Sequence, residues 1–151
     1  DVYAKRGWFS PKSSKTWMEI GALSWKPNQV ATFSNYGKGN VDVFAPGVDI
    51  NSTVPGSEYE DLSGTSMAAP VVAGVAAVLR SYFPTLSAAQ IKTILMETTV
   101  KTSVEYNKPG SKTETMKMDE MCVTGGMINL YEATQKAKVT KGKKKVKNIR
   151  P

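Results

Sequence analysis

Short apolar segments, separated by Gly, Pro, Asn and Ser, dominate the first third of the chain. Segments of this length and composition are typical of β-strands that are bounded by turns. Pro-Gly pairs mark two of these turns, at residues 46–47 and 55–56. The pattern predicts three short strands, at residues 18–24, 41–45 and 49–54, and loops at residues 1–16 and 26–39.

The most apolar segment covers residues 67–82 and is apolar on every side. This predicts a helix that is buried all round rather than one that lies on a surface. We expect the helix to begin near Thr65 or Ser66, which would place Pro70 in the first turn, where amide hydrogens have no partner within the helix. Pro84 is expected to end it. Gly74 predicts close packing, so a bulky side chain there is expected to destabilise the fold.

Two further helices are predicted from their first residues. Ser87 is followed three residues later by Gln90, which is the spacing of a capping box. Asn129 and Glu132 have the same spacing, and the helix that they begin is expected to run to about Ala137. The apolar face of the first of these helices, predicted to run to about Thr98, consists of Ile91, Ile94 and Leu95. Between the helices we expect a polar loop at residues 101–120, a turn at 109–110 and a short extended stretch at 116–123.

Composition restricts the class of protein. The 151 residues, 40% of them hydrophobic and 22% charged, suit one globular domain. A disulfide scaffold is excluded because Cys122 is the only cysteine, and we expect it to pack as a small apolar group. No apolar run reaches the roughly 18–20 residues of a membrane-spanning helix. The chain has no histidine, so the commonest general base and metal ligand is missing, and no loop has the ligand spacing of a calcium site.

Positive charge is concentrated at the C-terminus. Eight of the 20 basic residues lie in residues 136–151, which contain no acid, and this leaves 12 basic and 13 acidic residues upstream. We expect this segment to be a solvated tail or linker. The alternative is binding to nucleic acid or anionic lipid, although the segment lacks the interleaved aromatic residues of a single-strand-binding surface.

Gly64, Thr65 and Ser66 place a hydroxyl at the start of the apolar helix. A preceding glycine permits a tight turn and the close approach of a peptide substrate. Helix-terminal amides point outward and can stabilise negative charge that develops on a carbonyl oxygen. The arrangement therefore suits a nucleophile. The alternative is that Thr65 or Ser66 is only the N-cap of the helix, a role that both residue types fill often.

Five motifs, in the same order along the chain, resemble those of the subtilisin-like serine proteases. The segment at residues 64–74 resembles the nucleophile motif of that family, and the other four resemble a serine-rich strand and turn, an Ala-Pro-Gly turn, an Ile-x-Ser-Thr strand and a closing Gly-x-Ile-Asn element. These four are found at residues 31–37, 41–47, 50–53 and 125–133.

The resemblance implies an α/β fold with a parallel seven-stranded sheet and helices on both faces. It implies a serine endopeptidase that acts by acyl transfer through a serine-histidine-aspartate triad, and it implies no organic cofactor or catalytic metal. Ser66 would be the nucleophile, with its own amide in the oxyanion hole, and Thr65, Gly64 and Ser63 would line the hole and the substrate site. Peptide or protein substrates and a secreted or periplasmic location are implied in the same way.

The chain also departs from the family pattern. The triad aspartate and histidine and the oxyanion asparagine precede the serine in that family, and Asn28, Asn35 and Asn40 do not lie in the asparagine motif. Val71 replaces the histidine that usually follows the motif proline. We therefore expect residues 1–135 to be the C-terminal part of a catalytic domain and residues 136–151 to be the tail. By itself the chain is expected to be inactive and to self-associate through a sheet edge or the apolar helix.

Two interpretations remain open. The alternative to a protease is a non-catalytic module of the same fold that serves binding or assembly. The acidic residues just before the nucleophile motif predict either a solvated loop or a preference for basic substrate side chains. They are Glu58, Glu60 and Asp61.

The formal glycosylation sequon at residues 51–53 is discounted because it falls in a predicted strand.

Overall fold

The computed structural model describes residues 16–143. Its strands are β1 (Ile20–Leu23), β2 (Val43–Pro46), β3 (Ile50–Val54), β4 (Glu58–Leu62), β5 (Val100–Lys101), β6 (Glu105–Asn107), β7 (Thr115–Lys117) and β8 (Gly126–Met127). Its helices are α1 (Thr65–Tyr82), α2 (Ala88–Glu97), α3 (Met118–Met121) and α4 (Leu130–Val139). The loop predicted at the N-terminus and the last residues of the basic tail lie almost entirely outside the described residues.

A four-stranded sheet in the order β1-β2-β8-β5 forms the centre of the fold. β1 runs parallel to β2 and β2 parallel to β8, whereas β5 is antiparallel to β8. Two separate antiparallel hairpins, β3-β4 and β6-β7, stand beside it. The fold is therefore α/β, as the resemblance implies, and in the described range it contains four strands of the central sheet.

Both faces of the sheet are covered by packed side chains. Neighbouring side chains of a strand point in opposite directions, so one strand contributes to a core on each face. Val43 and Ala45 of β2 pack into the main core with α1, α2 and α4. Phe44, between them, packs into a second core on the other side, where Met118 and Met121 are fully buried. Cys122 is a free, buried cysteine of this second core, which confirms its predicted packing.

Most of the predicted elements are present. The three N-terminal strands are confirmed as β1, β2 and β3. The capping box of α2 is confirmed: the Gln90 amide donates to Ser87 Oγ at 3.3 Å, and the Ser87 amide donates to Gln90 Oε1 at 3.1 Å. Asn129 caps α4 by accepting the Glu132 amide at 3.1 Å. This helix ends at Val139, two residues beyond the predicted end.

Three local predictions are wrong. In each case the observed structure depends on contacts with other parts of the chain, which the local sequence does not show. The predicted loop at residues 101–120 contains the β6-β7 hairpin, which is held by paired bonds between Asn107 and the backbone of Val30 at 2.8 and 3.0 Å. The stretch at residues 116–123, expected to be extended, turns into α3 after β7 and buries Met118 and Met121. The acidic residues at 58–61 lie in strand β4 and not in a loop.

Helix α1 is exposed on one side, so the prediction that it is buried all round is wrong for this chain. Ala68, Val72 and Leu79 are buried, whereas the opposite face, which we call the open face, is solvent-exposed. The open face consists of Ala69, Pro70, Ala73, Gly74, Ala77 and Val78. Within residues 16–143, no helix has the length and apolar character needed to cross a membrane.

The outer edge of β1 is closed at one residue by the loop that follows the strand. The Ala22 amide donates to Ser34 Oγ at 2.9 Å, and the Ala22 carbonyl accepts the Ala31 amide at 2.9 Å. Ser34 is itself buried at 5% exposure. At Ala22, β1 therefore offers no free backbone groups to another strand.

Candidate active site

The candidate nucleophile lies at the start of α1. Gly64 is the N-cap residue, with φ of 166°, and no side chain caps the helix. The Gly64 carbonyl accepts the amides of Met67 and Ala68 at 3.0 and 3.2 Å. Thr65 and Ser66 are consequently the first two helical residues, and the alternative that one of them is only an N-cap is wrong.

The Ser66 side chain is exposed, and neither its hydroxyl nor its amide has a hydrogen-bond partner among residues 16–143. Thr65, beside it, is half-buried. The N-terminus of a helix carries partial positive charge. Ser66 thus combines an unengaged hydroxyl with an unengaged amide at an electropositive position. Both features suit attack on a carbonyl and stabilisation of the resulting oxyanion, provided that a base activates the hydroxyl.

Pro70 does not lie where the sequence pattern predicted. It is the sixth residue of α1, so its nitrogen occupies the position from which an amide would donate to the Ser66 carbonyl. Because proline has no amide hydrogen, that carbonyl loses its donor four residues along the helix. The Ser66 carbonyl therefore lacks the helical hydrogen bond that the carbonyls of the following turns accept.

The two residues before Thr65 are fastened to the turn that follows β2. The Gly64 amide donates to the Gly47 carbonyl at 2.8 Å. The Ser63 hydroxyl accepts the Asp49 amide at 2.9 Å and lies 3.3 Å from Asp49 Oδ1. Ser63 is therefore held in place, whereas Ser66 is not engaged.

Glycine is required at Gly47 and not at Gly64. A Cβ at Gly47 would lie 2.8 Å from both the Gly64 carbonyl oxygen and Ala22 Cβ. A Cβ at Gly64 would meet nothing nearer than Met67 Sδ at 3.5 Å, and its φ of 166° is extended backbone that other residues adopt. The backbone conformation at residue 64 therefore does not require glycine, and the close approach of a substrate to this residue remains a prediction.

The β3-β4 hairpin joins the two fastened segments. Its register pairs Ile50 with Leu62, so the turn after β2 and the loop before α1 meet at its open end. All five residues of β4 are exposed, and Asp61 accepts the Asn51 side-chain amide at 2.8 Å. Asn51, the asparagine of the glycosylation sequon, lies in strand β3, as predicted.

Sequence reasoning did not find Asp49 as a neighbour of the site. Asp49 and Ser63 are 14 residues apart, and only the hairpin register brings them together. The Ala-Pro-Gly motif pointed to Gly47 but not to its contact with Gly64. Val71 is partly buried and packs against the main core. Within residues 16–143 there is no cluster of three or more metal-ligating side chains.

Comparisons with known proteins show the family of this chain. The subtilase family model matches residues 7–138. M-protease from Shouchella clausii is 49% identical over 81 residues, which make up 54% of this chain and 21% of that protein. Subtilisin DY from Bacillus licheniformis is 43% identical over 116 residues, which make up 77% of this chain and 36% of that protein. The chain thus spans about a fifth to a third of the length of these relatives.

Solved structures of subtilisin-like proteins resemble the fold of this chain. The prenylagaramide maturation protease PagA aligns with a TM-score of 0.61 and 27% identity over 78% of this chain and 41% of that one. The subtilase cytotoxin SubAB aligns with a TM-score of 0.65 over 80% of this chain and 36% of that one, and at 24% identity it supports the fold alone. Since the family model covers nearly all of the described residues, including the exposed serine at the start of α1, the chain belongs to the subtilase family of subtilisin-like serine proteases.

Proposed function

We propose that the protein to which this chain belongs is a serine endopeptidase and that Ser66 is its nucleophile. The observation that carries the proposal is the exposed Ser66 at the start of α1, whose hydroxyl and amide have no partner among the described residues. Thr65, Gly64 and Ser63 would line the oxyanion hole and the substrate site. Protein or peptide substrates and an extracytoplasmic location are proposed from the family alone.

In the proposed reaction the Ser66 oxygen attacks the carbonyl carbon of the scissile peptide bond. Its proton passes to a general base, and negative charge develops on the carbonyl oxygen. The Ser66 amide would donate to that oxygen, and the N-terminal end of α1 would stabilise the charge. The base then gives the proton to the leaving nitrogen, and the tetrahedral intermediate expels the amine to leave an acyl-enzyme, which water hydrolyses.

This chain does not supply the base. A serine hydroxyl is a weak nucleophile near neutral pH unless a base lies beside it. The chain has no histidine, and the apolar run of α1 contains no lysine that burial could convert into a base. The triad histidine and aspartate and the oxyanion asparagine are therefore expected upstream, and the 151-residue chain alone is expected to be inactive.

The experiment is Ser66→Ala in the complete protein, with Ser81→Ala as the control because Ser81 is another exposed serine of α1. We expect Ser66→Ala to lose peptide hydrolysis and Ser81→Ala to keep it. Removal of a triad member costs a factor on the order of 10⁶ in turnover, so retention of more than about a thousandth would contradict the assignment. A complete protein that is inactive in its natural form would instead favour the binding or assembly module.

Self-association of the isolated chain is proposed to occur through the open face of α1. Large exposed apolar patches favour association, and this face consists of small apolar residues. The β1 edge is the weaker candidate because Ser34 and Ala31 already satisfy the backbone groups of Ala22. Light scattering after size-exclusion chromatography should give a dimer or larger species. Ala73→Glu should reduce it to a monomer, whereas Thr113→Glu, on an exposed loop elsewhere, should not. A natural chain that is monomeric at high concentration would refute the proposal.

A further inference from the structure

Asp49 is bonded to the loop that precedes the nucleophile through both its backbone and its side chain. Its amide donates to Ser63 Oγ at 2.9 Å. The Ser63 hydroxyl, in turn, donates to Asp49 Oδ1 at 3.3 Å. The two bonds form a closed ring between residues that are 14 positions apart. Rotation of the Ser63 side chain would break both bonds.

The second carboxylate oxygen of Asp49 is engaged as well. Trp25 Nε1 donates to Asp49 Oδ2 at 2.8 Å. An ionised carboxylate only accepts hydrogen bonds, and here each of its two oxygens faces a donor. The side chain of Asp49 is therefore fixed at both oxygens, one by the loop that precedes α1 and the other by the segment that follows β1.

The backbone of Asp49 is in an uncommon conformation. Its φ is +52°, in the left-handed region, where residues other than glycine are rare and Asp and Asn are enriched. Such conformations persist where the surrounding contacts determine them, and they cluster at functional sites. At Asp49 the determining contacts are those to Ser63 and Trp25.

The same turn holds the next residue of the loop by its backbone. The Gly64 amide donates to the Gly47 carbonyl at 2.8 Å, and Gly47 has no room for a Cβ beside the Gly64 carbonyl. Residues 47–49 thus fix Ser63 and Gly64, which directly precede Thr65 and Ser66. Within residues 16–143, the Ser66 hydroxyl makes no hydrogen bond that would hold it.

We propose that Asp49 is a positioning residue for the nucleophile, which acts by holding Ser63 and with it the start of α1 in the reactive geometry. The inference rests on the proposed function of Ser66. It assigns to Asp49 no contact with substrate. Its contribution is to orientation, and a displacement of about 1 Å at a reacting group can cost on the order of a hundredfold in rate.

The test uses the complete protein with Asp49→Gly and Asp49→Asn. Glycine adopts the left-handed backbone freely and keeps the amide bond to Ser63, so Asp49→Gly removes the carboxylate without adding strain. Asparagine keeps an acceptor for Trp25 and presents its NH₂ group to Ser63 Oγ, so it should restore much of the tether. Glu114→Gln removes an exposed, ion-paired acid of the β6-β7 hairpin and is the control.

The measurements are kcat and KM for a peptide substrate, and the rate of covalent labelling by a fluorophosphonate, at a temperature at which every variant is folded by circular dichroism. We expect Asp49→Gly to lower kcat and the labelling rate by about tenfold or more with KM within about twofold. Asp49→Asn should recover most of the loss, and Glu114→Gln should match the natural protein.

The outcomes separate this inference from the function on which it rests. If the natural protein is labelled at Ser66 and Asp49→Gly is labelled equally fast, the positioning role is wrong and the nucleophile assignment stands. A lower melting temperature of Asp49→Gly with unchanged kcat would show a structural role only and would also overturn the inference. If the natural protein is not labelled at Ser66, both proposals fail.

Discussion

Gly47 lies where the sheet, the loop before α1 and α1 itself meet, and Gly47→Ala tests that contact. The added methyl carbon would lie 2.8 Å from Ala22 Cβ, 2.8 Å from the Gly64 carbonyl oxygen and 3.1 Å from Ala68 Cβ. None of these atoms belongs to a flexible side chain that could rotate away. The backbone of the turn or of the start of α1 must therefore move.

The expected cost follows from two effects. Inserting a methyl group into a closely packed site typically costs about 1–3 kcal/mol. Moving Gly47 away from Gly64 also weakens the 2.8 Å bond between the Gly64 amide and the Gly47 carbonyl, which contributes about 1 kcal/mol. We expect Gly47→Ala to lower the free energy of unfolding by about 2–4 kcal/mol, a large part of the roughly 5–15 kcal/mol of an ordinary domain.

The matched control is Gly74→Ala in α1. A Cβ there would meet nothing within 4 Å, so the close packing predicted for Gly74 is wrong in this chain. Alanine is a better helix former than glycine, so this variant should be more stable by about 0.5–1 kcal/mol. Urea unfolding of the 151-residue chain, followed by circular dichroism at low protein concentration, measures both changes. A Gly47→Ala variant within about 0.5 kcal/mol of the natural chain would refute the argument that this approach excludes a side chain.

Two further predictions concern other parts of the fold. Gln90→Ala keeps the Ser87 cap but should destabilise α2 by about 1 kcal/mol, because the Ser87 amide loses its acceptor Gln90 Oε1. It should also release the segment at residues 141–143, because Gln90 Nε2 donates to the Lys141 carbonyl at 2.8 Å, and faster limited trypsin cleavage there would reveal this release. The hydrogen bond and charge of Glu114 raise the pKa of Lys108 above its ordinary value of 10.5, so the stabilisation from this pair is complete below that pH and is lost as the pH rises through the raised pKa. An NMR titration of Lys108 should show the pKa fall in Glu114→Gln, and an unchanged pKa would contradict the pairing.

The elements that the sequence predicted correctly are those specified by residues close together in the chain. The cap of α2 needs only Ser87 and Gln90, and that of α4 needs only Asn129 and Glu132. The hairpin β6-β7 was missed because most of its residues are polar, and its position depends on Asn107 and Val30, which are 77 residues apart. Similarly, Met118 and Met121 become helical because both are buried in the second core, and that core is assembled from distant segments.

In the candidate site, too, one part could be predicted from local sequence and another could not. Ser66 was identifiable from a continuous motif that combines a glycine, two hydroxyl residues and an apolar helix. The contacts that hold the loop before it were not, because Asp49 meets Ser63 only through the register of β3 and β4. Local sequence thus indicated the candidate nucleophile, and the hairpin register determines which residues contact the loop before it.

Because α1 is apolar on every side but exposed on one side in this chain, substitutions on its open face and substitutions at buried contacts should respond differently to a longer chain. A helix that is apolar on every side is typical of a fully buried environment, yet the open face of α1 is exposed here. The chain spans 36% of subtilisin DY, so the composition of α1 fits an environment larger than residues 16–143 provide. The stabilisation expected from Gly74→Ala depends on empty space beside the helix and need not hold in a longer protein. The cost of Gly47→Ala arises from contacts with Ala22, Gly64 and Ala68, all within this chain, and should therefore be the same in both.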